Sequence, residues 1–119
     1  MHLNPYRIMW VMVMYDLPTI TREQRKKHSE FRRDLIKAGY QQHQFSIYFR
    51  WCGSMEMAET QIKRLENMLP EEGEVSVLTL TDKQFGMMRR FYCRSEKIKR
   101  RKTMPGQLAM FHPQPDPFG

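Results

Sequence analysis

The sequence predicts an α+β fold whose strands and helices follow one another in the order βαββαβ. Three observations support this prediction: an unbroken apolar run near the N-terminus, two segments with helical spacing of apolar residues, and a β-rich segment after each of them. At 119 residues the chain is long enough for one domain with a modest core. We therefore expect a single small sheet with helices packed against it.

The first strand is predicted at residues 8–15, where every side chain is apolar. A run of this kind without alternation is typical of a strand in the middle of a sheet, covered on both faces. Asp16 is a poor strand residue, and Pro18 removes a backbone donor and disfavours helical geometry at Leu17. The strand should therefore end at Asp16, with its carboxylate at the strand end where open sheets often place ligand and metal sites.

The first helix is predicted between Thr21, a suitable N-cap, and Gly39, a suitable residue just beyond the C-cap. Phe31 and Leu35 share an apolar face with His28, which indicates an amphipathic helix. The opposite face carries basic residues at i, i+3 and i+4 spacing. We call this set the basic stripe, and it comprises Arg22, Arg25, Lys26, Arg32 and Arg33.

Residues 40–51 are rich in β formers and predict either one long strand or two strands joined by a tight bend. Apolar and polar residues alternate along this segment, which is the pattern of a half-buried strand. The face predicted to be buried carries Phe45, Ile47, Phe49 and Trp51.

A second helix is predicted from the cap Ser54 to about Leu69, where Pro70 ends it. The next strand is predicted at residues 75–80, and Thr81 can cap a short helix after it. The apolar stripe of the second helix comprises Met55, Ala58, Ile62, Leu65 and Leu69.

This order of elements is that of a ferredoxin-like βαββαβ sandwich, with a last short strand predicted at residues 91–93. Right-handed crossovers place both helices on one face of the sheet and leave the other face open. Because the strands carry apolar residues on both sides, a second copy of the chain is the economical cover. We therefore predict a homodimer that forms through its sheet face.

The chain is strongly basic, with a net charge of +7 and a pI near 9.7. Residues 22–37 carry seven basic and three acidic side chains, and residues 83–102 carry nine and one. This clustering indicates a nucleic-acid partner. Nothing resembles a base-reading helix, so we expect duplex binding that is independent of sequence and sensitive to salt. The first candidate contacts are the basic stripe, and the second set comprises Arg89, Arg90, Lys97 and Arg100.

Neither the two cysteines, Cys52 and Cys93, nor the four histidines show the spacing of metal ligands. We therefore expect no structural zinc site, and reduced thiols fit a cytosolic domain. The longest apolar run is far too short to span a membrane, and the N-terminus lacks the pattern of a signal peptide. The prediction is a cytoplasmic protein with no membrane partner.

Several of these segments together resemble the CRISPR-associated protein 2 family, the small ferredoxin-like subunit of the spacer-acquisition machinery. The resemblance spans about residues 6–94. Its matching pieces are residues 13–18 (VMYDLP), the Gly39-Tyr40 turn, residues 44–48 (QFSIY) and residues 75–82 (VSVLTLTD).

The resemblance implies a homodimer that bridges two dimers of the integrase subunit and helps to hold duplex prespacer DNA. It also implies a metal-dependent endonuclease that acts on RNA or on double-stranded DNA. Asp16 is the position that matches the metal-binding residue of the family.

One carboxylate per chain is a sparse ligand set for magnesium, which is usually held by one or two carboxylates plus substrate phosphate. Two Asp16 residues facing each other across a two-fold axis would supply the pair, giving one magnesium ion per dimer. Alternatively, Asp16 caps the first helix or its approach turn, and the dimer is only a structural bridge. A further alternative is a toxin-type ferredoxin-like endoribonuclease outside CRISPR adaptation.

Beyond a ferredoxin-like domain at residues 1–94, the sequence predicts a basic linker at 95–103 and a Pro-rich tail at 104–119. An apolar segment of this tail predicts docking on the integrase subunit, for example by strand addition. A segment that binds a sliding clamp and an inert tail are the alternatives. The predicted docking residues are Gln107, Leu108, Met110 and Phe111.

Overall fold

The computed structural model describes residues 4–93. The elements are β1 (Met9–Asp16), α1 (Arg22–Lys37), β2 (Gln41–Gln44), β3 (Ile47–Cys52), α2 (Met55–Glu66), β4 (Glu74–Thr81) and α3 (Asp82–Gly86). The strands form one antiparallel sheet in the order β2-β3-β1-β4. This topology confirms the predicted α+β, ferredoxin-like βαββαβ fold.

All of these elements lie within the compact unit Met1–Met87. The described residues that follow, 88–93, contain neither helix nor strand, so the predicted strand at 91–93 is wrong. β propensity alone does not make a strand. The predicted linker at 95–103 and tail at 104–119 lie outside the described residues.

β1 lies in the middle of the sheet, between β3 and β4, as predicted. Its side chains alternate, however: Val11, Val13 and Tyr15 are buried in the core, whereas the side chains on the other face are half buried or exposed. The described residues therefore cover one face of this strand fully and the other only in part, so the prediction of two covered faces is wrong for this part of the chain. The second face, here called the open face, carries Trp10, Met12, Met14, Asp16, Ile47, Phe49, Trp51, Leu78 and Leu80.

α1 begins and ends as predicted. The Thr21 hydroxyl accepts a hydrogen bond from Gln24 N at 3.1 Å, and the Gln24 side chain accepts one from Thr21 N at 3.0 Å, which completes a capping box. A cap of this kind contributes about 1 kcal/mol to stability. Phe31 and Leu35 are buried in the core cluster, and Gly39, with φ of 96°, turns the chain towards β2.

β2 and β3 form a hairpin around residues 45–46, so the alternative of two strands is correct. The predicted buried face is wrong in part, because Phe45 is 78% exposed and Trp51 is 49% exposed. β3 carries apolar side chains on both faces, and alternation alone does not say which face the helices cover. The side chains on the helix-covered face are Tyr48, Arg50 and Cys52.

α2 begins at the predicted cap, where the Ser54 hydroxyl accepts a backbone hydrogen bond at 3.1 Å. It ends at Glu66, earlier than the predicted Leu69. Leu69 and Met55, the two ends of the predicted apolar stripe, are about half exposed, so only the middle of the stripe contributes to the core. The buried members of the predicted stripe are Ala58 and Leu65.

α3 covers one end of the open face. Phe85 stacks on Trp10 with ring centroids 3.9 Å apart, and it makes an edge contact with Phe49 at 5.0 Å. Trp10 Nε1 also donates a hydrogen bond to Asp82 Oδ1 at 2.7 Å, which joins α3 to the sheet. This end of the open face is closed, whereas the end that carries Asp16 remains accessible.

Candidate metal and nucleic-acid site

Asp16 is the last residue of β1, and its side chain is exposed at the carboxyl end of a central strand. The alternation of the strand places it on the open face with Met14, opposite to Tyr15. Within the described residues, no hydrogen bond or ion pair engages its carboxylate. The residue predicted from the sequence is therefore an accessible oxygen donor.

Asp16 does not serve as the cap of α1. The N-cap is Thr21, which satisfies the free N–H groups of the first turn through its capping box with Gln24. The structure thus leaves the Asp16 carboxylate without the local role that the capping alternative would give it.

A second carboxylate lies opposite Asp16. β1 and β4 pair in a register that places Glu74 directly across from Asp16, on the same face of the sheet. Sequence reasoning missed Glu74 because it lies far along the chain, in what reads as an acidic turn. The signal that could have revealed Glu74 is the antiparallel pairing of the first and last strands. In such a pair, the last residue of one strand lies opposite the first residue of the other.

The turn into β4 fixes the position of Glu74. Gly73 has φ of 98°, a left-handed conformation that favours glycine. A Cβ atom on Gly73 would lie 2.7 Å from the Asp16 carbonyl oxygen and 2.6 Å from Leu17 Cδ2. The backbone of the turn therefore packs directly against the strand end that carries Asp16.

The β2–β3 hairpin approaches the same strand end. Tyr15 N donates a hydrogen bond to the Ser46 carbonyl oxygen at 3.1 Å, so the hairpin turn lies beside this strand end. Tyr48, further along the hairpin, is fully buried on the helix side and faces away from Asp16. At the turn, the exposed Phe45 ring lies 6.3 Å from the His28 ring, measured between centroids.

Tyr15, which precedes the candidate ligand, is a core residue. Its ring makes an edge contact with Phe31 at 5.1 Å. Burial raises the pKa of the Tyr15 phenol, and the adjacent Tyr48 adds to the shift. Tyr15 is therefore protonated at neutral pH and does not supply a base to the site.

The basic stripe on α1 is exposed along its whole length. Arg25 donates a hydrogen bond to the Ile20 carbonyl oxygen at 2.7 Å, and Arg32 donates one to Gln42 Oε1 at 3.4 Å. None of the five stripe residues forms an ion pair with an acidic residue in the described part of the chain. The stripe is thus a row of cations whose charge is not neutralised locally.

The second set of predicted contacts is only partly described. Arg89 is exposed, whereas Arg90 is half buried, with its guanidinium carbon 5.7 Å from the centroid of the Tyr92 ring. This cation–π contact favours a structural role for Arg90. The predicted contacts that lie outside the described residues are Lys97, Arg100, Gln107, Leu108, Met110 and Phe111.

A groove of about 300 Å³ lies on the helix side of the domain and is not part of the Asp16 site. Apolar residues such as Phe31 and Met68 line it, together with the carboxylates of Glu30, Asp34 and Glu71. An acidic rim repels phosphate. The groove is therefore unsuited to nucleic acid, in contrast to the basic stripe.

Within residues 4–93, no group of three or more His, Cys, Asp or Glu side chains is placed to hold a metal ion. Cys52 and Cys93 are free thiols. Burial raises the pKa of the Cys52 thiol, although Arg50 partly offsets the shift. A metal at the end of β1 would therefore depend on carboxylates, water and groups from outside the chain.

The fold and the strand end define a class of protein: a small ferredoxin-like domain with an exposed carboxylate on its open sheet face and a basic helix. The family model for CRISPR associated protein Cas2 matches residues 9–88, and the chain belongs to this family. Membership supports a CRISPR-associated role and favours it over the toxin-type alternative.

Individual relatives match over most of the chain. The CRISPR-associated endoribonuclease Cas2 of Flavobacterium psychrophilum is 54% identical over 90 residues, or 76% of this chain and 78% of the relative. The protein of the same name from Parvibaculum lavamentivorans is 43% identical over 87% of this chain and 100% of its own length. The Cas2 protein of Paracidovorax avenae is 38% identical over 92% of this chain and 99% of its own length.

None of the helices within the described residues is long and apolar enough to cross a membrane.

Proposed function

We propose that this chain is a homodimeric subunit of CRISPR spacer acquisition that binds duplex prespacer DNA without sequence preference and bridges dimers of the integrase subunit. The observation that carries the proposal is the exposed basic stripe, without local ion pairs, on a member of the Cas2 family. Lys and Arg side chains that contact phosphates position a protein on a duplex but do not read its sequence.

The open face is the proposed dimer interface. Leu78 and Trp51 are 51% and 49% exposed there, and Met12 and Met14 are half buried. A two-fold interface uses the same patch on both chains, so one apolar face covers the other. Asp16 lies on this face, and a two-fold axis passing close to it would bring the two Asp16 carboxylates together.

The proposed role of Asp16 is to bind magnesium, one ion being shared between the two Asp16 residues of the dimer. The donor fits the ion, because magnesium prefers oxygen ligands and this carboxylate is exposed and engaged by no other group in residues 4–93. When bound, magnesium polarises a phosphoryl oxygen and activates water for in-line attack. The basic stripe holds the nucleic-acid backbone.

A second activity, cleavage of RNA, is favoured by the names of the relatives. All three proteins described above carry the name endoribonuclease. In this chain Asp16 would bind the magnesium ion for cleavage of single-stranded RNA, as it would for cleavage of duplex DNA.

Cleavage and binding measured on the same samples test the proposal. Labelled single-stranded RNA and duplex DNA are incubated with magnesium and either the wild type or Asp16→Asn, and duplex binding is measured in parallel. We expect both a chelator and Asp16→Asn to abolish cleavage while duplex binding persists. Binding without cleavage by either protein would make the chain a structural bridge only. Loss of binding in Asp16→Asn would show that the residue is structural.

The salt dependence of duplex binding tests the basic stripe. If about six phosphates are neutralised, affinity should fall roughly 10³-fold between about 50 and 200 mM salt. Arg22→Ala combined with Lys26→Ala should make this dependence shallower. Lys63→Ala, an exposed cation on α2, is the matched control and should leave it unchanged. A flat salt response of the wild type contradicts phosphate contact.

The bridging role is tested through the tail. Deletion of residues 104–119 should weaken association with the integrase subunit and leave duplex binding and the melting temperature of the domain intact. Unchanged association would show that the tail does not contribute to binding of the integrase subunit.

A further inference from the structure

Asp16 and Glu74 form a cross-strand pair of like charges. Directly opposed residues in an antiparallel sheet have Cβ atoms about 4.5–5.5 Å apart and point to the same face, and like charges in these positions destabilise the pairing. The register of β1 and β4 places the two carboxylates in this relation at the exposed end of the open face.

The described residues do not relieve this repulsion. Within residues 4–93, neither carboxylate takes part in an ion pair or accepts a hydrogen bond. Glu71 and Glu72, which precede Gly73 in the turn, line the groove on the helix side instead. The pair is therefore left without a cation at ion-pair distance in this part of the chain.

The backbone holds the pair in place. Gly73 lies against the Asp16 carbonyl oxygen in a conformation that favours glycine, so Glu74 cannot withdraw by a small movement of the turn. A slip of the strand by one residue would move Glu74 to the other face of the sheet and take Val75 away from the core against which it packs. The two carboxylates are thus presented together.

We infer that Glu74 is a further carboxylate ligand of the shared magnesium ion that Asp16 binds, so that each protomer presents Asp16 and Glu74 to that ion. The inference rests on the proposed role of Asp16 and extends it. Magnesium prefers oxygen ligands. A divalent cation beside the two carboxylates would also reduce the repulsion that the register imposes.

Manganese, a spectroscopically visible substitute for magnesium, provides the test. Its binding to the full chain is measured by titration calorimetry and by the paramagnetic resonance signal of the free ion. Glu74→Gln should raise the dissociation constant about 10- to 100-fold, and Asp16→Asn should do so at least as strongly. Glu71→Gln removes the same charge from the adjacent turn and should leave it unchanged.

Thermal unfolding gives a second readout that does not depend on activity. In chelator, both Glu74→Gln and Asp16→Asn should melt at a higher temperature than the wild type, because each removes the repulsion. At the same manganese concentration, the melting temperature should rise more in the wild type and in Glu71→Gln than in the other two variants, whose affinity is lower.

The outcomes separate this inference from the proposed function. If Asp16→Asn loses manganese while Glu74→Gln binds it like the wild type, the role of Glu74 is wrong and that of Asp16 stands. If Asp16→Asn binds like the wild type, or the wild type binds no manganese, both are overturned.

Discussion

Burial raises the pKa values of three side chains on the helix side of the sheet. It raises the pKa of Tyr40 to about 12, and it also raises the pKa values of the Tyr15 phenol and the Cys52 thiol. None of the three is therefore an anion at neutral pH. The exposed carboxylates of Asp16 and Glu74 lie on the opposite face of the sheet.

The raised tyrosine pKa values predict a loss of stability in alkali. A tyrosine in the unfolded chain ionises near pH 10, whereas Tyr40 in the folded protein ionises near pH 12. Its contribution is therefore fully present below about pH 10 and is lost as the pH rises through the folded pKa. The free energy of unfolding in urea should fall between these values, and less steeply in Tyr40→Phe than in the wild type.

The exposed Tyr6 offers the matched control for this measurement. Tyr6→Phe should follow the wild-type curve. An equally steep fall in Tyr40→Phe and in the wild type would mean that Tyr40 does not contribute to alkaline unfolding.

At the scale of elements, the paired ends of β1 and β4 depend on one turn. We predict that Gly73→Ala destabilises the domain by about 1–3 kcal/mol, because alanine must adopt a left-handed conformation there. The new Cβ would also overlap the Asp16 carbonyl oxygen, which a Cβ would approach to 2.7 Å. The quantity to measure is the free energy of unfolding in urea.

Gly86→Ala is the control for this substitution, because a Cβ on Gly86 meets no atom within 4 Å. It should leave stability unchanged or raise it slightly, since alanine is the better helix former. A neutral Gly73→Ala would show that the turn can relax, and that the position of Glu74 is less fixed than inferred.

The sequence predicted these elements well where a local signal marks them. Thr21, Ser54 and Thr81 cap their helices as expected, and Pro18 and Gly39 lie where the chain leaves regular structure. It failed where the answer depends on tertiary neighbours. β3 is apolar on both faces, and only the position of the helices decides that Trp51 is exposed and Tyr48 buried.

The candidate site likewise contains one residue that a local sequence signal marks and one that depends on tertiary neighbours. Asp16 could be found because strand formers stop at it and Pro18 follows. Glu74 could not be found from its own surroundings, since three glutamates around one glycine are typical of a solvated turn. Its importance comes from the register between two strands that lie far apart in the chain.

At the scale of the whole molecule, the open face predicts self-association. Leu78 lies in the middle of β4 on this face and is 51% exposed in one chain. Leu78→Lys should therefore leave the protomer folded but place a charge in the proposed interface. We expect a dimer for the wild type and a monomer for the variant in sedimentation at micromolar concentration, with unchanged circular dichroism.

Ile36, similarly exposed on α1, is the control position for this experiment. Ile36→Lys should remain a dimer. A monomeric wild type, or a dimeric Leu78→Lys, would exclude the open face as the interface.

The edge position of β4 affects the tendency of the newly made protein to aggregate. This strand is eight residues long, and on its outer side no other strand of the described chain pairs with it. Long bare edges act as templates on which further chains add, and they lead to aggregation unless something covers them. A protomer synthesised in excess of its partners is thus the species most prone to aggregate. Its yield in a cell should depend on how soon a further polypeptide segment covers that edge.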